Sequence, residues 1–424
     1  MKTATHTFSI LLLLLITSCS GQVKHEEKEA LANEPGNVVK TAVGNITLPL
    51  PYATESISNS SSMVKWPDGK LPIAPAGFTV TKFAEGLENP RSTFIGPNND
   101  IFVVESGTQS SKNQITVFRD TDKDGKFETR EVFLGNLNKP FGMLILKDFF
   151  YVANTDGLYR YPYTNAPLKL QTQGVKILGL PAGGYNNHWT RNLIANTNGT
   201  KIYVSVGSGS NVGENGMDKE VRRANILEIN PDGTGEKIYA SGLRNPVGMD
   251  WNPFNNELWT TVNERDGLGD NLVPDYITSV KQNGFYGWPY SYFGNILDPR
   301  LKGQGKYLVA KSIVPDVSVG AHTASLGLAF YNKESFPIKY KNGIFVGQHG
   351  SWNRAIISGY KVVFVPFANG KPSGKPEDFL TGFVANEEKA EVYGRPVAIT
   401  VMNDGSLLVN DDSGNTVWKV TANK

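Results

Sequence analysis

A six-fold repeat constrains what this chain can fold into more than any other feature of its sequence. Each copy has a small polar or proline-led bend, an apolar stretch, a turn rich in Asn, Asp or Gly, and a strand of alternating apolar residues. The copies begin at Asn89, Lys139, Trp189, Asn245, Ser325 and Arg395. The first three begin about 50 residues apart, which is typical of one four-stranded antiparallel sheet per repeat.

The repeat predicts an all-β fold, a six-bladed β-propeller over residues 76–424. Radial stacking buries the faces of such sheets against each other and hides most of their edges. No stretch keeps a helical period over several turns, and the longer last intervals predict loops inserted between blades. Most aromatic residues are expected to pack between blades, including Trp189, Trp251, Trp259 and Trp418.

The amino terminus is a separate unit. Lys2 is the only charged residue before the apolar run FSILLLLLIT, which is short for a membrane span and predicts a signal peptide over residues 1–18. The run ends in Ile-Thr-Ser-Cys, which resembles the lipobox of bacterial lipoproteins. Cys19 is the only cysteine, so we expect it to be the lipid acceptor; the alternative is a secretory signal with an incidental cysteine. The polar residues 19–75 predict a tether.

The charge balance excludes some partners. Formal net charge is +2, basic residues are dispersed, and nothing indicates nucleic-acid binding. There is no second hydrophobic span. The sequence therefore predicts a lipid anchor as the only membrane link, with the globular domain outside the cytoplasm, facing the periplasm or the cell exterior.

The long block from Ala240 to Tyr290 and the phrases NNHWTRNL, GQHGSWNR and YGRPVAIT carry a family resemblance. They resemble the pyrroloquinoline quinone (PQQ) dependent glucose and sorbosone dehydrogenases, with closer similarity to the L-sorbosone dehydrogenase branch. The resemblance extends from about Gly77 to the carboxyl terminus. It implies a six-bladed propeller that oxidises a sugar or a sugar-derived aldehyde.

Sugar oxidation needs a base for the hydroxyl proton and an acceptor for the hydride, and no side chain can be that acceptor. His188, in NNHWTRNL, matches the family's catalytic base; the alternative is a histidine hydrogen-bonded within a loop. His322 and His349 lie beside glycines in predicted loops. They either line the same pocket as His188 or have structural roles.

PQQ carries three carboxylates, which guanidinium groups bind well. The resemblance places Arg244 and Asn245 beside the quinone oxygens, where they would polarise the C5 carbonyl. It makes Arg395 a ligand of the cofactor carboxylates and places Arg354 near a cofactor-binding lysine of the glucose-oxidising branch. The alternative for any single arginine is a surface salt bridge.

The resemblance also implies a calcium ion that bridges protein carbonyls to the quinone. The matching segment is NERDGLGDN, where the carbonyls of Asp266 and Gly267 would be the ligands and Asp270 would support them. Backbone carbonyls in a glycine-rich loop suit calcium, which prefers oxygen ligands and tolerates irregular geometry.

A second candidate calcium site needs no family comparison. Asp120, Asp122, Asp124, Gly125 and Glu131 have the spacing of an EF-hand loop. The flanking sequences ITVFRD and REVFLG read as strands rather than helices. The segment is therefore either a calcium-binding hairpin or a polar turn rich in Asp and Gly.

The functional prediction is a PQQ-dependent sugar dehydrogenase that passes electrons to an external acceptor, a cytochrome or a quinone. The acceptor must be external because one cysteine cannot form a CxxCH haem site. Two other classes stay open: a calcium-dependent propeller hydrolase such as a lactonase, and a non-catalytic carbohydrate-binding propeller.

Overall fold

The computed structural model describes residues 34–107 and 111–423, and these form a nearly all-β protein. The predicted signal peptide and Cys19 lie outside the described residues. Within these two ranges the helices are one α-helical turn and three 3-10 turns: Lys306–Val309, Met217–Glu220, Pro299–Leu301 and Ile338–Tyr340. No helix within the described ranges has the length and apolar character needed to cross a bilayer.

In the part of the chain that the structure describes, six larger sheets follow one another, and each contains four strands that pair antiparallel. Sheet 1 contains Pro90–Ile95, Ile101–Glu105, Gln114–Arg119 and Thr129–Leu134. Sheet 2 contains Met143–Leu146, Phe149–Asn154, Gly157–Pro162 and Val175–Gly179. Sheet 3 contains Leu193–Ala195, Ile202–Val206, Asn225–Ile229 and Lys237–Ser241, with Gly284–Phe285 added in parallel.

The remaining three sheets have the same order. Sheet 4 contains Pro246–Trp251, Leu258–Val262, Pro274–Ser279 and Val317–Ala321. Sheet 5 contains Ser325–Phe330, Ile344–Gln348, Lys361–Val365 and Glu377–Leu380. Sheet 6 contains Pro396–Val401, Leu407–Asp411 and Thr416–Ala422, and its fourth strand is Phe78–Ala84 from the beginning of the folded region. Each predicted repeat therefore supplies the first two strands of one sheet.

The sheets close on each other in a ring. The first strand of each sheet contacts the first strand of the next, and the first strand of sheet 6 contacts that of sheet 1. A separate apolar cluster lies between every neighbouring pair of sheets. Phe102, Phe133 and Phe150, for example, pack between sheets 1 and 2. Pairing of the Phe78–Ala84 strand with Thr416–Ala422 joins the two ends of the folded region.

The segment predicted to be a polar tether needs a correction over the residues that the structure describes. Asn37–Thr41 and Gly44–Leu48 form a hairpin, and its apolar residues Val39 and Leu48 are buried in the cluster between sheets 3 and 4. Further on, Ser62–Met63 pairs with Glu391–Val392. A few well-spaced apolar side chains thus attach a polar sequence to the folded body, because each removes apolar surface from water.

The remaining strands are short. They are Ser291–Tyr292 with Ile296–Leu297, Phe367–Ala368 with Lys371–Pro372, and Val384–Asn386, which pairs with Glu391–Val392. The sequence predicted loops inserted between blades, whereas the first of these pairs lies within sheet 4, in the long segment between its third and fourth strands.

Candidate active site

Antiparallel pairing gathers the predicted site residues at one end of the sheets. The start of a first strand lies beside the end of the second, as in the pairs Pro246–Val262 and Pro396–Asp411. Loops that enter a first strand and loops that leave a second strand therefore meet at the same end. The entering loops carry His188, Arg244 and Arg395, and the leaving loops carry Asp266, His349 and Asp412.

His188 is buried, and its hydrogen bonds define its tautomer. The imidazole Nδ1 lies 2.9 Å from the carbonyl oxygen of Ser208 and 3.0 Å from its hydroxyl oxygen. A carbonyl can only accept, and the Ser208 hydroxyl donates to the carbonyl of Ser210 at 2.6 Å, so Nδ1 must carry the hydrogen. Nε2 then has the lone pair, which accepts a long hydrogen bond (3.4 Å) from the side-chain amide of Asn187.

The surroundings of His188 also determine its charge state. Burial, and secondly the positive charge of Arg244, lower the pKa of His188 to about 3. The imidazole is therefore neutral near pH 7, with the lone pair on Nε2 that proton abstraction requires. The backbone of Gly207 packs closely against the His188 side chain. A Cβ added to Gly207 would lie 2.5 Å from the His188 Cβ, so only glycine allows this approach.

Arg244 is 1 % exposed, and all of its N–H groups are used within the protein. A guanidinium has five such groups. They donate to the Asn211 carbonyl (3.2 Å) and side chain (2.9 Å), the Asn263 and Glu264 carbonyls (3.2 and 2.6 Å) and the Asp266 carboxylate (2.9 Å). In this arrangement Arg244 acts on His188 through its charge, not through a free donor.

Asn245 follows Arg244 and lies against the same glycine. A Cβ on Gly207 would come within 2.4 Å of the Asn245 side-chain oxygen. That oxygen is buried, and no hydrogen-bond partner for it exists among the residues that the structure describes. A buried amide oxygen without a partner is uncommon in folded proteins, and this one can accept a hydrogen bond from a ligand or a water molecule.

A cavity of about 740 Å³ is lined by the two neighbours of His188 but not by His188, Arg244 or Asn245, and its wall carries two arginines and two carboxylates. It is lined by Glu88, Asn89, Arg91, Gly107, Asn187, Trp189, His349, Trp352, Arg395, Asp412, Ser413 and Asn415. Arg395 uses its Nε and one Nη2 hydrogen to hold the His349 and Gly350 carbonyls, each at 2.9 Å. The structure thus brings the predicted cofactor ligand Arg395 to the same cavity as Asn187, the neighbour of His188.

Arg91 and Asp412 are site residues that the sequence analysis missed. The Arg91 Nη1 donates to Asp412 at 2.5 Å, and its guanidinium lies 5.3 Å from the ring centroid of Trp189. Its Nε is buried without a partner among the described residues. Trp189, predicted to be a packing residue, instead forms part of the cavity wall. The position of Arg91 in the sequence could have identified it as a site residue. Like Arg395, it is next to the first residue of the first strand of a sheet.

His349 also lines this cavity, and it is hydrogen-bonded to Asp412. Its Nε2 is 2.8 Å from the Asp412 carboxylate. Burial, then the charge of Arg395, lower the pKa of His349 to about 4, so this histidine is also neutral near pH 7. Burial alone would raise the pKa of Asp412, but His349 and Arg91 outweigh burial and hold that pKa well below its usual range. Asp412 is therefore ionised.

Two predicted residues lie elsewhere. Arg354 is half-buried, donates to the Asn271 side chain at 2.9 Å, and does not line the cavity described above. Asp270 accepts from the backbone N–H groups of Ile57 (3.2 Å) and Ala355 (2.7 Å). Asp270 thus joins the amino-terminal segment to the loop after the second strand of sheet 5.

The Asp266 carbonyl, a predicted calcium ligand, already has two donors. It accepts from the Arg300 guanidinium at 2.7 Å and from the Asn211 amide at 3.0 Å. A cation beside this oxygen would meet the positive charge of Arg300, so the Asp266 carbonyl does not fit calcium in this arrangement. The carboxylate of Asp266 contacts Arg244, the Asn353 amide at 2.6 Å and His322 at 3.6 Å.

The second calcium candidate differs from its prediction in one ligand. The acidic side chains that approach each other are Asp120, Asp122, Asp124 and Glu128, whereas Glu131 belongs to the fourth strand of sheet 1. The flanking segments are strands, as predicted, so this is a hairpin loop. Its carboxylates cap the loop's own N–H groups, for example Asp120 with Gly125 at 2.9 Å.

The fold is similar to that of solved structures of carbohydrate-active enzymes. The PQQ domain of pyranose dehydrogenase from Coprinopsis cinerea matches with a TM-score of 0.69 and 19 % identity, over 86 % of this chain and 100 % of that domain. A calcium structure of the family AA12 enzyme of Trichoderma reesei matches with a TM-score of 0.68 and 18 % identity, over 85 % of this chain and 100 % of that one.

The chain belongs to the TrAA12-like family, whose model matches residues 72–283 and 302–423. The PQQ-dependent pyranose dehydrogenase of C. cinerea is 23 % identical over 81 % of this chain but only 53 % of its own length. An uncharacterized protein of Borreliella burgdorferi is 30 % identical over 82 % of this chain and 89 % of its length. The homologues of known activity are thus PQQ-dependent sugar dehydrogenases.

Proposed function

We propose that this protein is a PQQ-dependent sugar dehydrogenase on a six-bladed β-propeller, which oxidises a sugar hydroxyl and passes the electrons to a separate acceptor. The observation that carries the proposal is one cavity in which Arg91 and Arg395 face the loop of a neutral, tautomer-fixed histidine, His188. Family membership supports the same chemistry. The ring of six sheets supports the blade number.

The cavity wall offers PQQ guanidinium groups and aromatic surface, and of its two carboxylates Asp412 is paired with Arg91. Guanidinium groups at Arg91 and Arg395 suit carboxylates, and Trp189 and Trp352 offer aromatic surface to a planar ligand. When bound, PQQ supplies the two-electron acceptor that no side chain provides. A hydrolase or a carbohydrate-binding propeller would have no comparable use for two guanidinium groups on the wall of this cavity.

The chain's own residues handle the proton. Nε2 of His188 accepts the hydroxyl proton as the hydride leaves the sugar carbon, and the Ser208 carbonyl stabilises the opposite N–H of the imidazolium that forms. The Asp266 carbonyl would bind calcium only after Arg300 and Asn211 released it. The proposed mechanism therefore routes no step through a metal.

Reconstitution tests this function. Purified protein should bind PQQ and then reduce an artificial electron-acceptor dye when supplied with a sugar, across a panel of aldoses and sorbosone. The control is His188→Gln, which should bind PQQ without turnover. Sugar binding without PQQ binding would instead identify a carbohydrate-binding propeller, and lactone hydrolysis without dye reduction would identify a hydrolase.

We further propose that Cys19 is lipidated and anchors the protein outside the cytoplasm. The support is the apolar run that ends at the chain's only cysteine. Cys19→Ala should move the protein from the detergent phase to the aqueous phase in a phase-separation assay. Equal partition of the two forms would refute the anchor.

A further inference from the structure

A buried carboxylate that contacts neither the cavity wall nor His188 lies one loop away from the candidate base. Glu220 ends the 3-10 turn Met217–Glu220 and is 5 % exposed. One carboxylate oxygen accepts from the backbone N–H of Gly209 at 2.7 Å, and the other accepts from the Ser210 hydroxyl at 2.5 Å. Both carboxyl oxygens of Glu220 are therefore bonded to the short segment Gly209–Ser210.

The segment that Glu220 holds is the one that orients His188. Ser208, directly before Gly209, supplies both oxygens near the imidazole Nδ1, and its hydroxyl donates to the Ser210 carbonyl. A shift of Gly209 and Ser210 would therefore move the acceptors that keep the hydrogen on Nδ1. The hydrogen bond at one ring nitrogen decides which tautomer a histidine adopts.

Arg223 contacts the loop that carries His188 through the side chain of Asn186. It is 6 % exposed, its backbone N–H donates to the Glu220 carbonyl at 3.0 Å, and its guanidinium donates to the Asn186 side chain at 2.7 Å. The guanidinium of Arg223 thus lies beside Asn186, and the carboxylate of Glu220 lies beside the segment that contacts His188. A carboxylate this deeply buried is costly to keep ionised without such partners.

We propose that Glu220 is a positioning residue: through Gly209 and Ser210 it fixes the Ser208 acceptors, and so holds His188 in the tautomer with the lone pair on Nε2. The catalytic consequence rests on the proposed function. The tautomer itself does not, because it is a property of the folded chain without cofactor or sugar.

The test compares Glu220→Gln with Glu228→Gln. Glutamine keeps the size of the side chain but offers one accepting oxygen where Gly209 and Ser210 need two. Glu228 is an equally buried glutamate (5 % exposed) in sheet 3 that accepts from the Tyr203 hydroxyl at 3.0 Å. Its substitution therefore controls for the loss of a buried carboxylate elsewhere. Ser210→Ala, which removes one contact to Glu220 and keeps the Gly209 bond, is the milder variant should Glu220→Gln fail to fold.

The first readout is the 15N NMR spectrum of the imidazole nitrogens, with the His188 signals assigned by their loss in His188→Gln. In the wild type and in Glu228→Gln, His188 should show a single Nδ1–H tautomer. In Glu220→Gln, or in Ser210→Ala, signals of the Nε2–H form should appear. A His188 tautomer unchanged in the Glu220 and Ser210 variants would overturn the proposal.

The second readout is the kinetics of the PQQ-loaded enzyme. Glu220→Gln should lower kcat by about tenfold, a part of what a general base contributes, and leave KM unchanged, since no sugar contact is lost. An equal fall in kcat for Glu228→Gln would show a merely structural effect and contradict the inference. A wild type without dye reduction would refute the proposed function, while the NMR result would still decide the role of Glu220.

Discussion

The charge network in the cavity gives the sharpest test of the structure, through Asp412→Asn. Asp412 is the carboxylate that holds Arg91 at 2.5 Å, and the two side chains are 7 % and 11 % exposed. The substitution keeps the shape but leaves the Arg91 guanidinium in a largely buried position without its counter-charge. Removing one partner of a buried ion pair destabilises a protein by about 3–5 kcal/mol. Because Arg91 borders a cavity, we expect the lower end, about 3 kcal/mol.

The penalty should depend on pH in one direction. The pKa of Asp412 lies below its ordinary value in the folded protein, so its stabilisation is complete above the unfolded pKa of about 4 and is lost as the pH falls below it. Asp412→Asn should therefore lower the free energy of unfolding by the same amount at pH 8 and pH 6, and by less at pH 3.5. His349 is neutral at the two higher values and does not change this result.

Urea unfolding of wild type, Asp412→Asn, Arg91→Met and the double variant measures the effect. The double variant should be more stable than the sum of the two single losses predicts, because it leaves no unpaired charge. Glu377→Gln breaks the exposed pair with Lys339 (50 % and 57 % exposed) and is the control, with an expected loss below about 1 kcal/mol. A loss for Asp412→Asn as small as the control's, or strictly additive losses, would refute the buried network.

Three further outcomes are expected. His188→Gln should abolish dye reduction and keep PQQ affinity within about twofold, since the imidazole is a base and not a carboxylate ligand; equal loss of binding would contradict its role. Arg395→Gln should weaken PQQ affinity by about 10- to 100-fold, the effect of a lost charge-assisted hydrogen bond, whereas Arg354→Gln should not; fluorescence titration compares them. Stability should fall between pH 7 and pH 4, because His188 and His349 stay neutral when folded, with pKa values of about 3 and 4, and take up protons when unfolded; urea unfolding of His349→Gln should show a smaller pH slope.

The sheets could be predicted because their signals are local. Alternating apolar residues and turns rich in Asn, Asp and Gly mark the first two strands of each sheet within about twenty residues, as in the copy that begins at Asn245. The position of His188 and Arg395 at loops that enter first strands follows from the same pattern.

The charge network could not be predicted, because it joins residues that only the closure of the ring brings together. Arg91 and Asp412 are 321 positions apart and meet only because sheet 6 lies beside sheet 1. Glu128 replaces Glu131 near the other acidic residues because the strand after the loop begins at Thr129, which carries Glu131 away. Trp189 is a large aromatic residue of the kind that packs between blades, but its position in the fold places it in the wall of the cavity.

The arginines of the site have different roles, which follow from their positions. Arg244 has no free donor, and its charge contributes to holding the pKa of His188 at about 3, too low for an efficient base near neutral pH. Arg91 and Arg395 border the cavity and retain capacity for carboxylates. An anionic ligand bound there would offset part of the positive potential around His188 and raise its pKa toward the working range. The base should therefore be strengthened by the same carboxylates that hold the cofactor, which couples proton abstraction to cofactor binding.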